Sequence, residues 1–146
     1  MRIAIVEDHP LVARGLEFTF QGMGHEVCGI ADTVRGALDA IERHRPDLIT
    51  CDVRLRNGES GLDVARAALT RWRIRTLFIT AAVDRELLAA IGPLAPVGCI
   101  AKGHLGGGLA SGPFDEAIAC ALSGTFAPSS TAARSVGSAA DGPMSP

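Results

Sequence analysis

The sequence lacks the features that mark several common classes of protein. Its formal net charge is only −2, so there is no excess of basic residues to neutralise nucleic-acid phosphates, and we expect no DNA binding. After Met1 and Arg2, only four apolar residues precede Glu7, and Pro93 and Pro96 interrupt the most apolar later stretch. Neither a signal peptide nor membrane insertion is expected, which favours a cytoplasmic protein.

The cysteine and glycine patterns exclude two kinds of site. The four cysteines include no C-x-x-C pair, which argues against zinc or redox chemistry and indicates reduced, mostly buried thiols. The glycines form neither a G-x-G-x-x-G motif nor a P-loop, which argues against a nucleotide cradle. No nucleotide cofactor is therefore expected.

Lysine is almost absent from the chain. Thirteen of the fourteen basic residues are arginine, and Lys102 is the single lysine. A lysine ammonium is a compact charge that can reach one phosphoryl oxygen, whereas an arginine guanidinium is a planar fork. Arginine-rich composition explains most of the bias, but the single lysine remains a candidate functional residue.

The rest of the composition is that of one globular domain. The chain has 146 residues, of which 47% are hydrophobic and 21% charged, enough for one core of ordinary size but not for two full domains. From residue 127 onward, Ser, Ala, Gly and Pro dominate. We predict a domain over residues 1–124 and a disordered tail over residues 125–146.

Five apolar runs alternate with helical patterns. The starts of these runs are separated by 24, 21, 28 and 22 residues, which is the rhythm of βα units. Because strands that are continuously apolar are typical of a parallel sheet covered by helices on both faces, we predict a five-stranded α/β sandwich. The predicted strands cover residues 2–6, 26–31, 47–52, 75–80 and 97–102.

Apolar residues spaced for helices lie between and after these strands. A glycine-rich connection, residues 103–113, precedes the last of the helical patterns. The predicted helices cover residues 11–23, 34–41, 62–72, 87–91 and 114–122.

Polar residues close most of the strands. Glu7 and Asp8 follow the first, Asp52 ends the third, Thr80 the fourth and Lys102 the fifth. Ligands of open parallel sheets bind at the carboxyl ends of the strands. If the first and third strands are neighbours, each pair of carboxylates at roughly 5 Å costs on the order of 3 kcal/mol. Either one carboxyl holds a proton or a cation lies among the carboxylates, and an all-oxygen ligand set suits Mg²⁺.

These residue types also suit phosphoryl transfer, which needs positioning and charge neutralisation. Asp52 could then be a nucleophile that forms an aspartyl phosphate. Ordinary structural explanations stay open: Asp8 as a helix N-cap, Asp52 as a turn residue, Thr80 as a β-former and Lys102 as a surface charge.

In this order, the residues resemble the receiver domain of two-component response regulators, over about residues 1–124. The resemblance implies a flavodoxin-like fold with strand order 2-1-3-4-5. It also implies a stand-alone signalling domain of a phosphorelay rather than an enzyme, catalysing only its own phosphorylation and dephosphorylation. The resemblance is carried by Glu7-Asp8, Cys51-Asp52-Val53-Arg54-Leu55, Thr80-Ala81 and Gly98-Cys99-Ile100-Ala101-Lys102.

By this resemblance, Asp8 and Asp52 would bind Mg²⁺ directly. Glu7 would act through water, and the backbone carbonyl of Arg54 would supply another oxygen. Asp52 would accept the phosphoryl group from a sensor histidine kinase or a histidine phosphotransfer protein. The output would be contact with a protein partner that the sequence does not identify.

The resemblance further implies that Lys102 neutralises phosphoryl charge and that Thr80 moves to hydrogen-bond the phosphoryl group. Two residues depart from the family pattern. Cys99 stands where an aromatic switch residue is frequent, and Gly103 follows the lysine where proline is common. Rotation of an aromatic side chain at position 99 therefore cannot report phosphorylation.

Two other functions stay open. A degenerate receiver would bind its partners without phosphorylation, which Cys99 and Gly103 favour. A Mg²⁺-dependent phosphatase would hydrolyse small phosphoesters through an aspartyl phosphate. Such enzymes usually carry a second carboxylate two residues after the nucleophile, where this sequence has Arg54.

Overall fold

The computed structural model describes residues 1–102, which form one parallel sheet of five strands in the order β2-β1-β3-β4-β5. The predicted α/β class and the strand order implied by the resemblance are therefore confirmed. The third and fifth strands are shorter than predicted, because residues 47, 52, 97 and 102 lie in the flanking connections. The strands are β1 (Arg2–Val6), β2 (Glu26–Ala31), β3 (Leu48–Cys51), β4 (Arg75–Thr80) and β5 (Gly98–Ala101).

Four helices connect the strands, at the places where the apolar spacing predicted them. None of these four is long and apolar enough to cross a membrane. The predicted connection over residues 103–113, the helix over 114–122 and the tail lie outside the described residues. The helices are α1 (Pro10–Gly22), α2 (Val34–His44), α3 (Gly61–Trp72) and α4 (Arg85–Ile91).

Polar side chains at the first turn fix where three of the helices begin. The side chains of Thr33, Ser60 and Asp84 accept backbone N–H bonds at the starts of α2, α3 and α4. At α1 the N-cap is His9, followed by Pro10, whose fixed φ suits the first turn. The alternative that made Asp8 the N-cap is therefore wrong, which leaves its carboxylate free for the site.

Two apolar layers cover opposite faces of the sheet. On one face, Leu16 and Phe20 of α1 pack over Ile3 and the neighbouring strand residues. On the other face, α2 and α3 contribute the layer that contains Ile41 and Val64. The edge strand β2 stays mostly half-exposed, unlike the continuously buried β3.

The register of the sheet brings the carboxyl ends of the central strands to one edge. Val6 of β1 lies opposite Cys51 of β3, and Thr80 of β4 lies opposite Ala101 of β5. The residue that follows each of these strand ends therefore reaches the same edge as its neighbours.

Candidate functional site

Charged side chains from three strand ends converge at this edge. Glu7 and Asp52 are 2% and 6% exposed, respectively. The Lys102 Nζ donates to Asp52 Oδ2 at 2.7 Å and to Glu7 Oε2 at 3.1 Å. Carboxylate oxygens of Glu7, Asp8 and Asp52 lie within 4.8 Å of one another. The fold thus brings together four of the side chains that the sequence analysis singled out.

Burial and mutual charge shift the proton affinities of this cluster. Burial raises the pKa of the Glu7 carboxyl, and the negative charge of Asp52 adds to this, against hydrogen bonds from the His9 N–H and from Lys102. Burial acts to lower the pKa of Lys102, but its hydrogen bonds and charge contacts with Asp52 and Glu7 outweigh burial and raise that pKa. Lys102 is therefore a stable cation at neutral pH.

One buried oxygen of the cluster has no hydrogen-bond partner among residues 1–102. Glu7 Oε1 is buried and accepts no hydrogen bond from any residue that the structure describes. A buried carboxylate oxygen without a partner is costly, and the neighbouring carboxylates add repulsion. A hard divalent cation takes such oxygen ligands and offsets both costs. The residues present therefore fit a divalent cation.

Thr80 and Arg54 lie beside this cluster. Thr80 is buried at the end of β4, and the Arg54 backbone N–H donates to Asp52 Oδ1 at 3.3 Å. Both residues line a cavity of about 440 Å³ together with Asp52. The acidic residues Asp84 and Glu86, at the start of α4, lie on the same cavity. The cavity therefore lies between Asp52 and α4.

A second cavity, of about 390 Å³, lies on the α1 side of the cluster. Its walls include Glu7 and Asp8, together with Arg14 of α1 and Asp32 after β2. Arg14 is highly exposed and pairs with Glu17 one turn along the same helix. It therefore brings a positive charge near Asp8 without a hydrogen bond to it.

The connection after Asp52 folds as a tight hairpin, which we name the β3–α3 hairpin (residues 53–61). Asn57 and Gly58 at its tip have φ of 63° and 75°, the positive pair of a type I′ turn. The Leu55 N–H donates to the Glu59 carbonyl at 2.9 Å, and an antiparallel β-bridge pairs Arg54 with Ser60. This hairpin was not predicted from the sequence, although an Asn-Gly pair is the usual signal of such a turn.

The β3–α3 hairpin touches its neighbours on both flanks. The Arg56 Nη2 donates to the backbone carbonyl of Asp8 at 2.7 Å. Glu59 Oε1 accepts the Val34 N–H of the first turn of α2 at 2.8 Å. The loop that carries Asp52 is thereby joined to the loop that carries Asp8 and to α2.

Gly61 ends the β3–α3 hairpin where the start of α3 lies against the residues at the end of β3. A Cβ at this position would overlap the backbone carbonyl of Asp52 and lie 2.7 Å from Cys51 Sγ. The Gly61 N–H also donates to the Val53 carbonyl at 2.7 Å. Glycine is therefore required for α3 to begin next to Asp52.

The cysteines of the described residues are free thiols, as expected. Cys51 and Cys99 are buried, and Cys28 is half-buried. Burial raises the pKa of the Cys99 thiol to about 12. Cys99 lies opposite Phe78 in the sheet, and both side chains are fully buried in the same apolar layer. Position 99 is thus a packed core position; Cys120 lies outside the described residues.

Comparison with known proteins agrees with this arrangement. Residues 3–104 match the family described as the response regulator receiver domain. The chain is 43% identical over 86 residues to the phyllosphere-induced regulator PhyR of Methylorubrum extorquens. That match covers 58% of this chain and 32% of PhyR. The chain spans about a third of the length of the first curated relatives it matches.

Two solved receiver domains show the same fold. The receiver domain of PhyR from Erythrobacter litoralis superposes with a TM-score of 0.70 at 27% identity, covering 88% of this chain and 95% of that one. The isolated receiver domain of RcsB from Salmonella enterica, solved with the phosphomimetic BeF₃⁻, gives a TM-score of 0.79. This second match covers 93% of this chain and 98% of that one at 16% identity, so it supports the fold alone.

Proposed function

This chain belongs to the response regulator receiver family, and from that premise we propose that it is a phosphorylation switch with Asp52 as the phosphoacceptor. In this proposal Asp8, Asp52 and the Arg54 carbonyl hold Mg²⁺, while Glu7 acts through water. The observation that carries the proposal is the 2.7 Å contact of Lys102 Nζ with Asp52 Oδ2 beside the carboxylate cluster.

The side chains have separate roles in the transfer. An Asp52 carboxylate oxygen attacks phosphorus, while the bond from phosphorus to the donor histidine nitrogen breaks and the imidazole leaves with the electron pair. Lys102 neutralises charge on the phosphoryl oxygens, and the Thr80 hydroxyl donates a hydrogen bond to one of them. When bound, Mg²⁺ supplies further charge neutralisation. The chain catalyses only its own phosphorylation and dephosphorylation.

The donor in this proposal is a cytoplasmic sensor histidine kinase or a histidine phosphotransfer protein, and the output is contact with another protein. The cavity between Asp52 and α4 supports such an output. A phosphoryl group on Asp52 would add negative charge to a cavity that Asp84 and Glu86 already line. The resulting repulsion would displace the start of α4 and so change the surface that a partner meets.

Acetyl phosphate and Mg²⁺ provide a test that needs no partner protein. We expect intact-mass spectrometry to show one added phosphoryl group on the wild-type chain and none on Asp52→Asn. Asp63→Asn, which removes an exposed carboxylate of α3, is the matched control and should label like the wild type. Removal of Mg²⁺ by a chelator should abolish labelling. An unlabelled wild type, or equal labelling of Asp52→Asn, would contradict the proposal.

Two further measurements, phosphoester turnover and partner binding, separate the two other functions. Steady turnover of a generic phosphoester well beyond one equivalent would support a phosphatase, which Arg54 at the usual second-carboxylate position disfavours. Partner binding that is unchanged in Asp52→Asn and by acetyl phosphate would support a degenerate receiver. The observation that favours a degenerate receiver is Cys99, which is packed beside Phe78 at the position where an aromatic switch residue is frequent.

A further inference from the structure

Arg56 bridges two loops that are far apart in the sequence. Its Nη2 donates to the Asp8 carbonyl at 2.7 Å, across 48 positions. A hydrogen bond from a guanidinium is charge-assisted and stronger than one between neutral groups. The contact therefore anchors the connection between β1 and α1 to the β3–α3 hairpin.

Hydrogen bonds and packing hold the hairpin backbone around Arg56. Arg56 directly precedes the Asn57-Gly58 turn, and the Glu59 N–H donates back to the Arg56 carbonyl. Leu55, beside it, is buried in the apolar layer of α2 and α3. Glu59 joins the other flank of the hairpin to α2. The guanidinium is therefore presented from a hairpin held by its ladder, its turn and its packing.

The Asp8 carbonyl, which Arg56 contacts, lies outside the backbone hydrogen bonding of α1. The first carbonyl that α1 uses is that of His9, which accepts the Ala13 N–H at 3.0 Å. Asp8 precedes it, in the short connection between β1 and α1. Its carbonyl therefore remains available to the guanidinium of Arg56.

The Asp8 side chain needs such an anchor. Its carboxylate lies within 4.8 Å of oxygens of Glu7 and Asp52, and like charges at this range repel. A mobile connection between β1 and α1 would relax by moving Asp8 outward, away from the other two carboxylates. Holding its backbone keeps the ligand oxygens close together before a cation arrives.

We propose that Arg56 is a positioning residue that holds Asp8 in the cation-binding arrangement through its hydrogen bond to the Asp8 carbonyl. The inference rests on the proposed function, because it gives Asp8 the role of a Mg²⁺ ligand. Arg56 acts on Mg²⁺ affinity and, through it, on the rate at which Asp52 accepts a phosphoryl group.

The experiment compares three variants of the full chain. Arg56→Met removes the donors and keeps the aliphatic stem, and Arg56→Lys restores a charged donor. Arg14→Met removes a positive charge near Asp8 that makes no hydrogen bond to it. Mg²⁺ affinity is measured by amide NMR titration of the unphosphorylated proteins at low and high salt. The rate of labelling by acetyl phosphate is measured in parallel.

We expect Arg56→Met to weaken Mg²⁺ binding roughly tenfold, as is common when a group that orients a metal ligand is lost. Arg56→Lys should recover part of that loss, and Arg14→Met should bind Mg²⁺ like the wild type. The tenfold ratio between the Mg²⁺ affinities of the wild type and Arg56→Met should persist at high salt, because salt screens a hydrogen bond less than it screens a distant charge. At saturating Mg²⁺, the labelling rate of Arg56→Met should return close to that of the wild type.

Wild-type affinity in Arg56→Met would overturn this inference and leave the proposed function standing. An equal loss in Arg14→Met, or a ratio that disappears at high salt, would also overturn it, because the loss would then not depend on the hydrogen bond from Arg56 to the Asp8 carbonyl. A wild-type chain that neither binds Mg²⁺ nor accepts a phosphoryl group would instead overturn the proposed function, and this inference with it.

Discussion

The charged side chains at the two ends of the sheet have different kinds of partner. At the amino end, the Arg2 Nη1 donates to the His44 carbonyl at 2.6 Å, and the Arg75 Nε donates to the Ala95 carbonyl at 2.7 Å. At the carboxyl end, Glu7 and Asp52 are buried beside each other and share one cation, Lys102. Charges at the amino end complete backbone hydrogen bonding, whereas those at the carboxyl end remain partly unsatisfied.

Because of this difference, the charged residues at the amino end contribute to stability, whereas those at the carboxyl end contribute to ligand binding. Half-buried arginines that donate to backbone carbonyls satisfy the ends of helices and loops. Buried carboxylates with an unpartnered oxygen destabilise the unliganded protein, and a ligand can relieve that cost. Substitutions at the two ends should therefore change stability and ligand binding differently.

The largest expected effect comes from Gly61→Ala at the carboxyl end. The new Cβ would overlap the Asp52 carbonyl, so α3 must move away from β3. We expect a loss of roughly 3 kcal/mol in the free energy of unfolding, typical of severe overpacking, together with weaker Mg²⁺ binding. Urea unfolding monitored by circular dichroism measures the loss.

Gly15→Ala is the matched control for this substitution. Gly15 lies inside α1 with open space where its Cβ would stand, so alanine should stabilise the protein by about 0.5–1 kcal/mol through helix propensity. If both substitutions destabilised the protein equally, the close approach of α3 to Asp52 would not be the cause.

A smaller effect concerns pH in the absence of metal. The pKa of the Glu7 carboxyl is raised above its ordinary value of 4.5, chiefly by burial. In the window above pH 4.5 the folded protein therefore keeps a proton that the unfolded chain has lost. The contribution of Glu7 to the free energy of unfolding therefore falls as pH rises through this window.

Glu7→Gln should flatten this dependence, and Mg²⁺ should reduce it in the wild type because a cation favours the ionised carboxylate. Urea unfolding at a series of pH values, with and without chelator, measures both changes. Equal slopes for wild type and Glu7→Gln would show that Glu7 does not carry the dependence.

The smallest effect is expected at the amino end. Arg73 follows α3 with φ of 58°, a left-handed conformation that favours glycine. We expect Arg73→Gly to stabilise the protein by about 0.5 kcal/mol, since relief of strain exceeds the entropy that glycine adds to the unfolded chain. Mg²⁺ affinity should stay unchanged.

Arg71→Gly is the control for Arg73→Gly. Arg71 is helical and stacks over Trp72 with its guanidinium carbon 4.4 Å from the ring centroid. Glycine there should destabilise the protein by about 1 kcal/mol, because it loses helix propensity and the cation–π contact. A thermal scan that ranks the two variants in the reverse order would contradict the assignment of strain to Arg73.

Much of this architecture could be predicted because its signals are local and periodic. The βα rhythm fixed the number of strands, and polar residues at strand ends such as Asp52 and Lys102 indicated the site. The order of the strands came from family resemblance, since periodicity carries no information about which strands are neighbours. The start of α2 at Val34 was predicted correctly, whereas the other three starts differed from prediction by one or two residues. At α4, Asp84 caps the helix earlier than its apolar spacing begins.

What the sequence analysis missed depends on contacts between distant residues. The Asn57-Gly58 turn had a local signal, but nothing local indicates that Arg56 reaches the Asp8 carbonyl. Likewise, no pattern in the sequence shows that a side chain at Gly61 would overlap the Asp52 backbone. Such contacts are fixed only when the parallel strands bring their connections to one edge.

The most direct test of the phosphoacceptor role uses beryllofluoride with Mg²⁺, read by amide NMR. We predict large shifts at residues 7–9, 53–61 and 80 in the wild type, with little change at residues 73–75 of the amino end, and no such shifts in Asp52→Asn. An unresponsive wild type, or the same response in Asp52→Asn, would contradict the account.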